Sequence, residues 1–257
     1  LEIKDRDKLD GEPIAWLFVE REETYRRDDR DGSVYEASIR LSYERIAPKH
    51  SCRMSGKGHF SGGFSRGYGD GSSVSLTSES TSRGAVFLDL PGLEGQRVGT
   101  YLMNEIVEWV RQWPDATVRS VGLLSGQAHG ENKARRNRFY EQFGLEFDYR
   151  DPEQCEGLSR PMLAVALTPV GTWKSNIRER DVREYLGDVL YVRDQLGFEL
   201  SQRERAIKSL SDEIKRAEAH PVRWALRQLW WRIAPPLGQV TILLILGVMV
   251  WLGLKPK

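Results

Sequence analysis

Residues 90–102 read LPGLEGQRVGTYL, and their reading decides the architecture of the front of the chain. The apolar run from Ala85 to Leu90 reads as a β-strand and stops at Pro91. Two glycines and an arginine follow, and apolar residues then recur at Val98, Leu102, Ile106 and Val110, the spacing of one face of a helix. A strand joined to a helix through such a turn implies that something lies close to the backbone, because Gly95 and Gly99 leave open the space that a Cβ fills. The helix also directs its free N–H groups and the positive end of its dipole back at the turn, which makes a site for a pyrophosphate or another anion. The stretch is neither the GxxxxGK[ST] phosphate loop nor GxGxxG, so by itself it is equally the plain start of a helix.

On the N-terminal side, IAWLFVERE (14–22) and SVYEASIRLSYERI (33–46) have the alternation of strands, and the charged RRDDRDGS (26–33) reads as the hairpin or loop between them. Residues 51–83 are rich in glycine and serine, with aromatic residues spaced through them. They are expected to form a long mobile loop, with a hairpin around Val74 to Leu76, that either folds over a substrate as a lid or stays disordered. On the C-terminal side the pattern predicts a helix over Val98–Trp113, a strand over Val118–Leu124, a helix over Asn132–Phe143 and a strand over Leu163–Leu167. Antiparallel strands followed by strands alternating with helices give an α+β domain, a mixed β-sheet flanked by helices, over about residues 11–170.

The chain has 257 residues, 38 basic against 37 acidic, for a net charge of +1, which gives no support for nucleic acid as a bulk partner. Its two cysteines, Cys52 and Cys155, sit far apart and form no CxxC, and its four histidines form no cluster. Neither a disulfide framework nor a metal site is expected, which fits a reducing compartment. The sequence opens on Leu1 with no apolar stretch of the secretory kind, so no secretory signal is expected.

The far end is apolar. No charged residue occurs from Ile233 to Leu254, and at about 1.5 Å per helical residue the stretch 237–254 approaches the roughly 30 Å of a hydrocarbon core, so it is expected to be a single C-terminal transmembrane helix. The alternative is a core helix, which would ordinarily keep a polar face. Before it, PVRWALRQLWWRIAPP (221–236) interleaves Arg223, Arg227 and Arg232 with tryptophans, a composition suited to lipid head groups. Three arginines before the span and two lysines after it favour a membrane protein with its main domain cytoplasmic. Between the domain and the anchor, a linker and helix at 171–220 carry Leu186, Val189, Arg193, Leu196, Leu200, Arg203, Ile207, Leu210, Ile214 and Ala217 at alternating steps of three and four. That is the seam of a coiled coil, which favours a homo-oligomer through 186–217 over a single helix lying on the front domain. Pro221 ends or bends that helix.

The second informative stretch is ENKARRNRFYEQFGLEF (131–147), a helix bearing Phe139, Tyr140 and Phe143, closed by Gly144 as a C-cap before LEF returns as a strand. Together, LPGLEGQRVGTYL and FYEQFGLEF resemble the GNAT superfamily of acyl-CoA-dependent N-acyltransferases. In that family a strand, a Gly-rich turn and a helix hold the CoA pyrophosphate, and a later helix ends in Tyr-Glu-x-x-Gly-Phe. The first motif is matched at Pro91, Gly95, Val98, Gly99, Thr100 and Leu102, the second at Tyr140, Glu141 and Gly144. The chain departs from the family at Glu94, at Arg97 where the middle glycine usually stands, and at Leu145, and Asn132 stands one residue further from Tyr140 than the usual pantetheine contact.

The resemblance implies a GNAT-like sheet and transfer of acetyl from acetyl-CoA to an amine by direct attack. The cofactor contacts it implies are Leu88 and Leu90 at the strand end, Gly95, Gln96, Arg97, Val98, Gly99 and Thr100 in the turn, and Asn132. Tyr140 takes the place of the general acid that protonates the leaving thiolate. Asp89 and His129 are the nearest candidates for a base. The partners implied are the CoA thioester, an unidentified amine acceptor that an anchored enzyme would plausibly find at the membrane, and membrane lipids. The alternative is a catalytically degenerate adaptor that keeps the fold and assembles at the membrane through its coiled coil; the departures at Glu94 and Arg97 are its support.

Overall fold

The computed structural model describes residues 1–46, 56–67, 71–80, 90–130 and 132–231. It divides the chain into two units, Leu1–Arg180 and Asp181–Lys257.

The first unit is α+β with a mixed sheet. Strands β1 (Glu2–Ile3), β2 (Ala15–Arg27), β3 (Val34–Ile46), β4 (Lys57–Arg66), β5 (Ser72–Ser75), β6 (Thr117–Val118) and β10 (Ile177–Arg178) make a seven-stranded sheet in the order β10-β1-β2-β3-β4-β5-β6. Every pairing is antiparallel except that of β5 with β6. A second, three-stranded antiparallel sheet joins β7 (Gly122–Leu123), β9 (Gly157–Ser159) and β8 (Phe147–Tyr149). The β2–β3 hairpin forms because residues 37–43 alternate apolar and polar, and Ala15 and Leu17 of β2 turn to the core beside them. Its turn is held by Asp31, whose carboxylate accepts from both the N–H and the hydroxyl of Ser33, and by Gly32 at φ +69°.

Helix α1 (Val98–Val110) lies on the face of this sheet that carries Ala37, Ile39 and Leu41, with Leu102, Ile106, Val107 and Val110 fully buried. Its direction is fixed by two polar ties to β2. Arg21 pairs with Glu105 at 2.5 Å, and the indole N–H of Trp109 donates to the Tyr25 hydroxyl at 2.9 Å. Residue numbers rise together in the two elements, so α1 runs with β2, and its start is tied beside the β10–β1 edge of the sheet, where the Arg6 N–H and the Asn176 amide bond to Gln96. The outer side of α1 is covered by residues 170–173: the Val170 N–H donates to Asn104 Oδ1 at 2.7 Å, and the Trp173 ring meets Tyr101 edge-on at 4.8 Å. Helix α2 (Asn132–Glu141) follows, and in the second unit α3 (Val182–Ala219) is a continuous helix.

The glycine- and serine-rich stretch is where the structure overturns the sequence reading. Residues 57–66 and 72–75 are strands of the large sheet, not a mobile loop or lid. Phe60, Gly62 and Phe64 face α1, and a Cβ on Gly62 would meet the Ile106 side chain at 2.7 Å. On the opposite face the chain at 78–79 crosses directly over Gly63, whose Cβ would overlap the Glu79 carbonyl oxygen and stand 2.7 Å from its carbon. Glycine here is a requirement of close approach on both faces, not of flexibility.

Two further expectations change. Residues 118–124 are not one strand: Val118 pairs with β5, and the chain then passes to the second sheet, where Leu123 pairs with β9. Residues 163–167 make a 3-10 turn, Ala164–Ala166, in place of a strand. Pro161 and Pro169 bracket this segment, and its N–H groups at Ala164 and Val165 go to the carbonyls of Ala116 and Pro114 instead of a ladder. The expected strand at 85–90 up to Asp89, Cys52 and the expected membrane span at 237–254 lie outside the described residues. Among the described residues no helix is long and apolar enough to cross a membrane. α3 ends at Ala219, His220 leaves helical geometry, and residues 221–231 are again helical with Pro221 first.

Gly63→Ala should lower stability by about 1–3 kcal/mol through overpacking against backbone that has nowhere to go, whereas Gly126→Ala, with open space around it, should stay within about 0.5 kcal/mol. Denaturant unfolding of the two variants against the parent measures the difference; equal stabilities would refute the close approach.

Candidate functional site

The turn before α1 is built from left-handed residues. Gly92 and Gly95 have φ of +78° and +79°, and at neither would a Cβ meet anything within 4 Å, so these glycines serve backbone shape at an open surface. Arg97 also has positive φ, +63°, which is uncommon for a residue with a side chain. It stands at the N-cap of α1 with no side-chain cap. The first intrahelical bond runs from the Tyr101 N–H to the Arg97 carbonyl at 2.9 Å, and the N–H groups of Val98, Gly99 and Thr100 have no acceptor among the described residues. Three donors, at the positive end of a helix, are thus left to whatever lies in the turn.

The side chains around the turn do not point where the sequence places them. Arg97 reaches away from it, donating to the Thr172 carbonyl at 2.9 Å and to the Ser175 hydroxyl, so it fixes the left-handed residue to the 172–176 segment. Gln96 accepts the Arg6 N–H at 2.8 Å, and its own carbonyl takes a bond from Asn176 at 3.0 Å. Leu90 is buried in the core. Glu94 is exposed. Leu88 and Asp89 lie outside the described residues. Asn132 uses its amide at the start of α2, donating to the Gln127 carbonyl at 2.7 Å, and His129 is exposed, with its carbonyl taking the Asn132 N–H.

The end of α2 meets the start of α1. Gln142 donates to the Thr100 hydroxyl at 3.3 Å, a contact between residues 42 apart that no local pattern reveals. Gly144, at φ +88°, turns the chain out of the helix beneath the Ala166 carbonyl, and Phe143 and Leu145 fill the core on either side of it. Tyr140 is buried, its ring set edge-on against Phe139 and Phe147. Its hydroxyl has no hydrogen-bond partner among the described residues. Burial pushes its pKa up to about 12, with the Arg136 charge working the other way. The phenol is therefore protonated, and available as a donor, throughout the neutral range.

Arg136 is the residue that sequence reasoning missed. Buried one turn before Tyr140, it donates to the carbonyls of Leu124 (2.7 Å) and Cys155 (3.0 Å) and to Asn137 Oδ1 (3.1 Å), which ties α2 to the ends of β7 and β9. A buried guanidinium held by carbonyls keeps its whole charge near the phenol. A second cluster also went unread. Around Arg21, burial raises Glu105 above the usual carboxylate range against the pull of Arg21; at Glu23 burial acts in the same sense, but bonds from Tyr25 and Arg21 outweigh it and hold the pKa low. This cluster fastens α1 to β2. Among the described residues no group of three or more His, Cys, Asp or Glu side chains is placed to hold a metal ion.

Compared with known proteins, the chain matches no family model, no curated protein and no solved structure.

The Tyr140 environment has a consequence at alkaline pH. Its pKa is about 12 in the folded chain against 10.0 for an ordinary phenol, so the neutral form is favoured by folding. The stability this adds is complete below about pH 10 and is lost as the pH climbs toward 12. In denaturant titrations across that window Tyr140→Phe should lose less stability than the parent; parallel decline of the two would contradict the burial of an isolated phenol.

Proposed function

We propose that this chain is an acyl-CoA-dependent N-acetyltransferase of GNAT type, carrying acetyl from acetyl-CoA to an amine. The observation that carries the reading is the uncapped first turn of α1: a left-handed Gly-rich turn with the N–H groups of Val98, Gly99 and Thr100 free of acceptors among the described residues. Such donors at a helix start suit a pyrophosphate. The Gln142–Thr100 contact supports the second half of the reading, because it joins the end of the Tyr140 helix to that turn.

In this reading the amine nitrogen, once deprotonated, attacks the thioester carbonyl, the C–N bond forms and the C–S bond breaks. Backbone N–H groups near Leu90 face the carbonyl oxygen as it gains charge. Tyr140 hydrogen-bonds to the departing sulfur and passes it a proton, and the proton shed by nitrogen restores the phenol. Because Arg97 is engaged by 172–176, the phosphates are met by backbone N–H groups alone, which makes the geometry of the turn the determinant of affinity. Residues 237–254 would anchor the enzyme in a membrane with its main domain cytoplasmic, so that its acceptor is itself membrane-associated.

The test is calorimetric titration of the full chain, in mild detergent, with acetyl-CoA. Binding is expected for the parent and for Tyr140→Phe, and a loss of at least tenfold in affinity for Gly99→Trp, whose side chain fills the turn. Absence of heat from the folded parent would contradict the enzyme reading and leave the adaptor, in which the fold persists without its cofactor.

A further inference from the structure

The second unit carries an apolar seam that its own structure does not cover. α3 is 38 residues long, starts at Asp181, whose carboxylate accepts from the N–H groups of Arg183 and Glu184, and contains no buried residue. Leu196, Leu200, Ile207, Leu210 and Ile214 are each more than half exposed. In heptad terms Leu186, Leu200, Ile207 and Ile214 share the a position with Arg193, and Val189, Leu196 and Leu210 share d with Arg203. Four glutamates flank the seam: Glu199 and Glu213 at g, Glu204 and Glu218 at e.

These six charges select the partner's direction. In a parallel, in-register pair of α3 helices Arg193 faces Arg193 and Arg203 faces Arg203 inside the seam, while g-to-e neighbours bring Glu199 beside Glu204 and Glu213 beside Glu218, each on both sides. Antiparallel pairs set a against d, with g beside g and e beside e. Of the registers that keep most of the seam covered, one puts Arg193 against Arg203 and Glu199 against its own copy. Another, two heptads away, puts Glu204 against its own copy and Glu199 beside Glu213. The register between them has no like-charge neighbours at all. There Leu200 faces Arg203, which lies beside Glu199 of the second copy, Leu196 faces Ile207, Val189 faces Ile214, and Arg193 faces Leu210 with Ser211 and Glu213 next to it. In a single helix Arg203 has only a long pair, 3.7 Å, with Glu199 of its own chain, and Arg193 only its exposed neighbour Asp194.

We propose that α3 pairs with α3 of a second copy of this chain as an antiparallel coiled coil in the register that sets Leu200 against Arg203. The arginines that interrupt the seam then act as specificity elements: they disfavour the parallel pair, and in this register each lies beside a glutamate of the second copy with no like-charge neighbours. The pairing is independent of the activity proposed above. At about 1.5 Å per residue the rod is about 57 Å long, and its two C-terminal segments leave from opposite ends. A rod anchored by both segments lies along a bilayer instead of standing off it.

The test is disulfide trapping in the full chain, in mild detergent, with Cys52→Ser and Cys155→Ser as background. Leu196→Cys and Ile207→Cys are made singly. In the proposed register like residues are offset by about 16 Å along the rod, too far for a disulfide, while 196 of one copy meets 207 of the other. A mixture of the two variants should cross-link into mixed dimers, and neither variant alone should cross-link. Cross-linking of each variant with itself would show a parallel pair and overturn the proposal. No cross-linking in any sample, with the chain sedimenting as a monomer, would overturn it equally.

Discussion

The architecture of the first unit depends on how closely chain can approach the middle of β4. Gly62 admits Ile106 of α1 on one face, and Gly63 admits the backbone at 78–79 on the other. Without both, the sheet would stand further from its helix, and the strand-to-helix connection would have no room to cross. The ties at Arg21–Glu105 and Tyr25–Trp109 then fix the direction of α1, and the Asn104–Val170 bond closes its outer side. These contacts, with the bonds from Arg6 and Asn176 to Gln96, hold the start of α1 beside the β10–β1 edge of the sheet.

That helix start is locally unfavourable. A side-chain-bearing residue in the left-handed region costs on the order of 1–3 kcal/mol, and an N-cap without a side-chain acceptor gives up about 1 kcal/mol more. Arg97 incurs both, and its guanidinium is fastened to Thr172 and Ser175 so that the conformation holds. Strain that the surroundings enforce, beside donors without acceptors among the described residues, is a feature of functional sites more than of plain helix starts. Tyr140 adds a phenol whose hydroxyl has no partner among the described residues, kept neutral by burial.

Much of this was legible in the sequence where periodicity is undiluted. The β2–β3 hairpin, α1 and α3 each follow from one repeating apolar face, whereas α2, polar nearly throughout, is marked by its aromatic end and by Gly144 beyond it. The stretch around HFSGGFSR was not, because Phe60, Gly62 and Phe64 do alternate as a strand does, but the middle position has no side chain to register as apolar. Glycine there reads as a loop, whereas close approach demands it. LAVAL at 163–167 failed for the opposite reason: its composition suits a strand, and the flanking prolines deny it a ladder. In the site, the turn glycines and Tyr140 were readable. Arg136 and the Gln142–Thr100 contact were not, since each depends on residues far apart in sequence. The sequence does carry one signal: position 97 lacks the Ser, Thr, Asp or Asn whose side chain ordinarily accepts from the first turn of a helix.

In the proposed function the N–H groups of Val98, Gly99 and Thr100 meet a ligand's phosphates. That contact is read by recording their backbone amide resonances while CoA is added to the folded chain. All three are predicted to shift together and saturate, while amides of α3 stay in place. Resonances at 98–100 that do not move at saturating CoA, in a chain whose spectrum remains that of the folded protein, would contradict the claim.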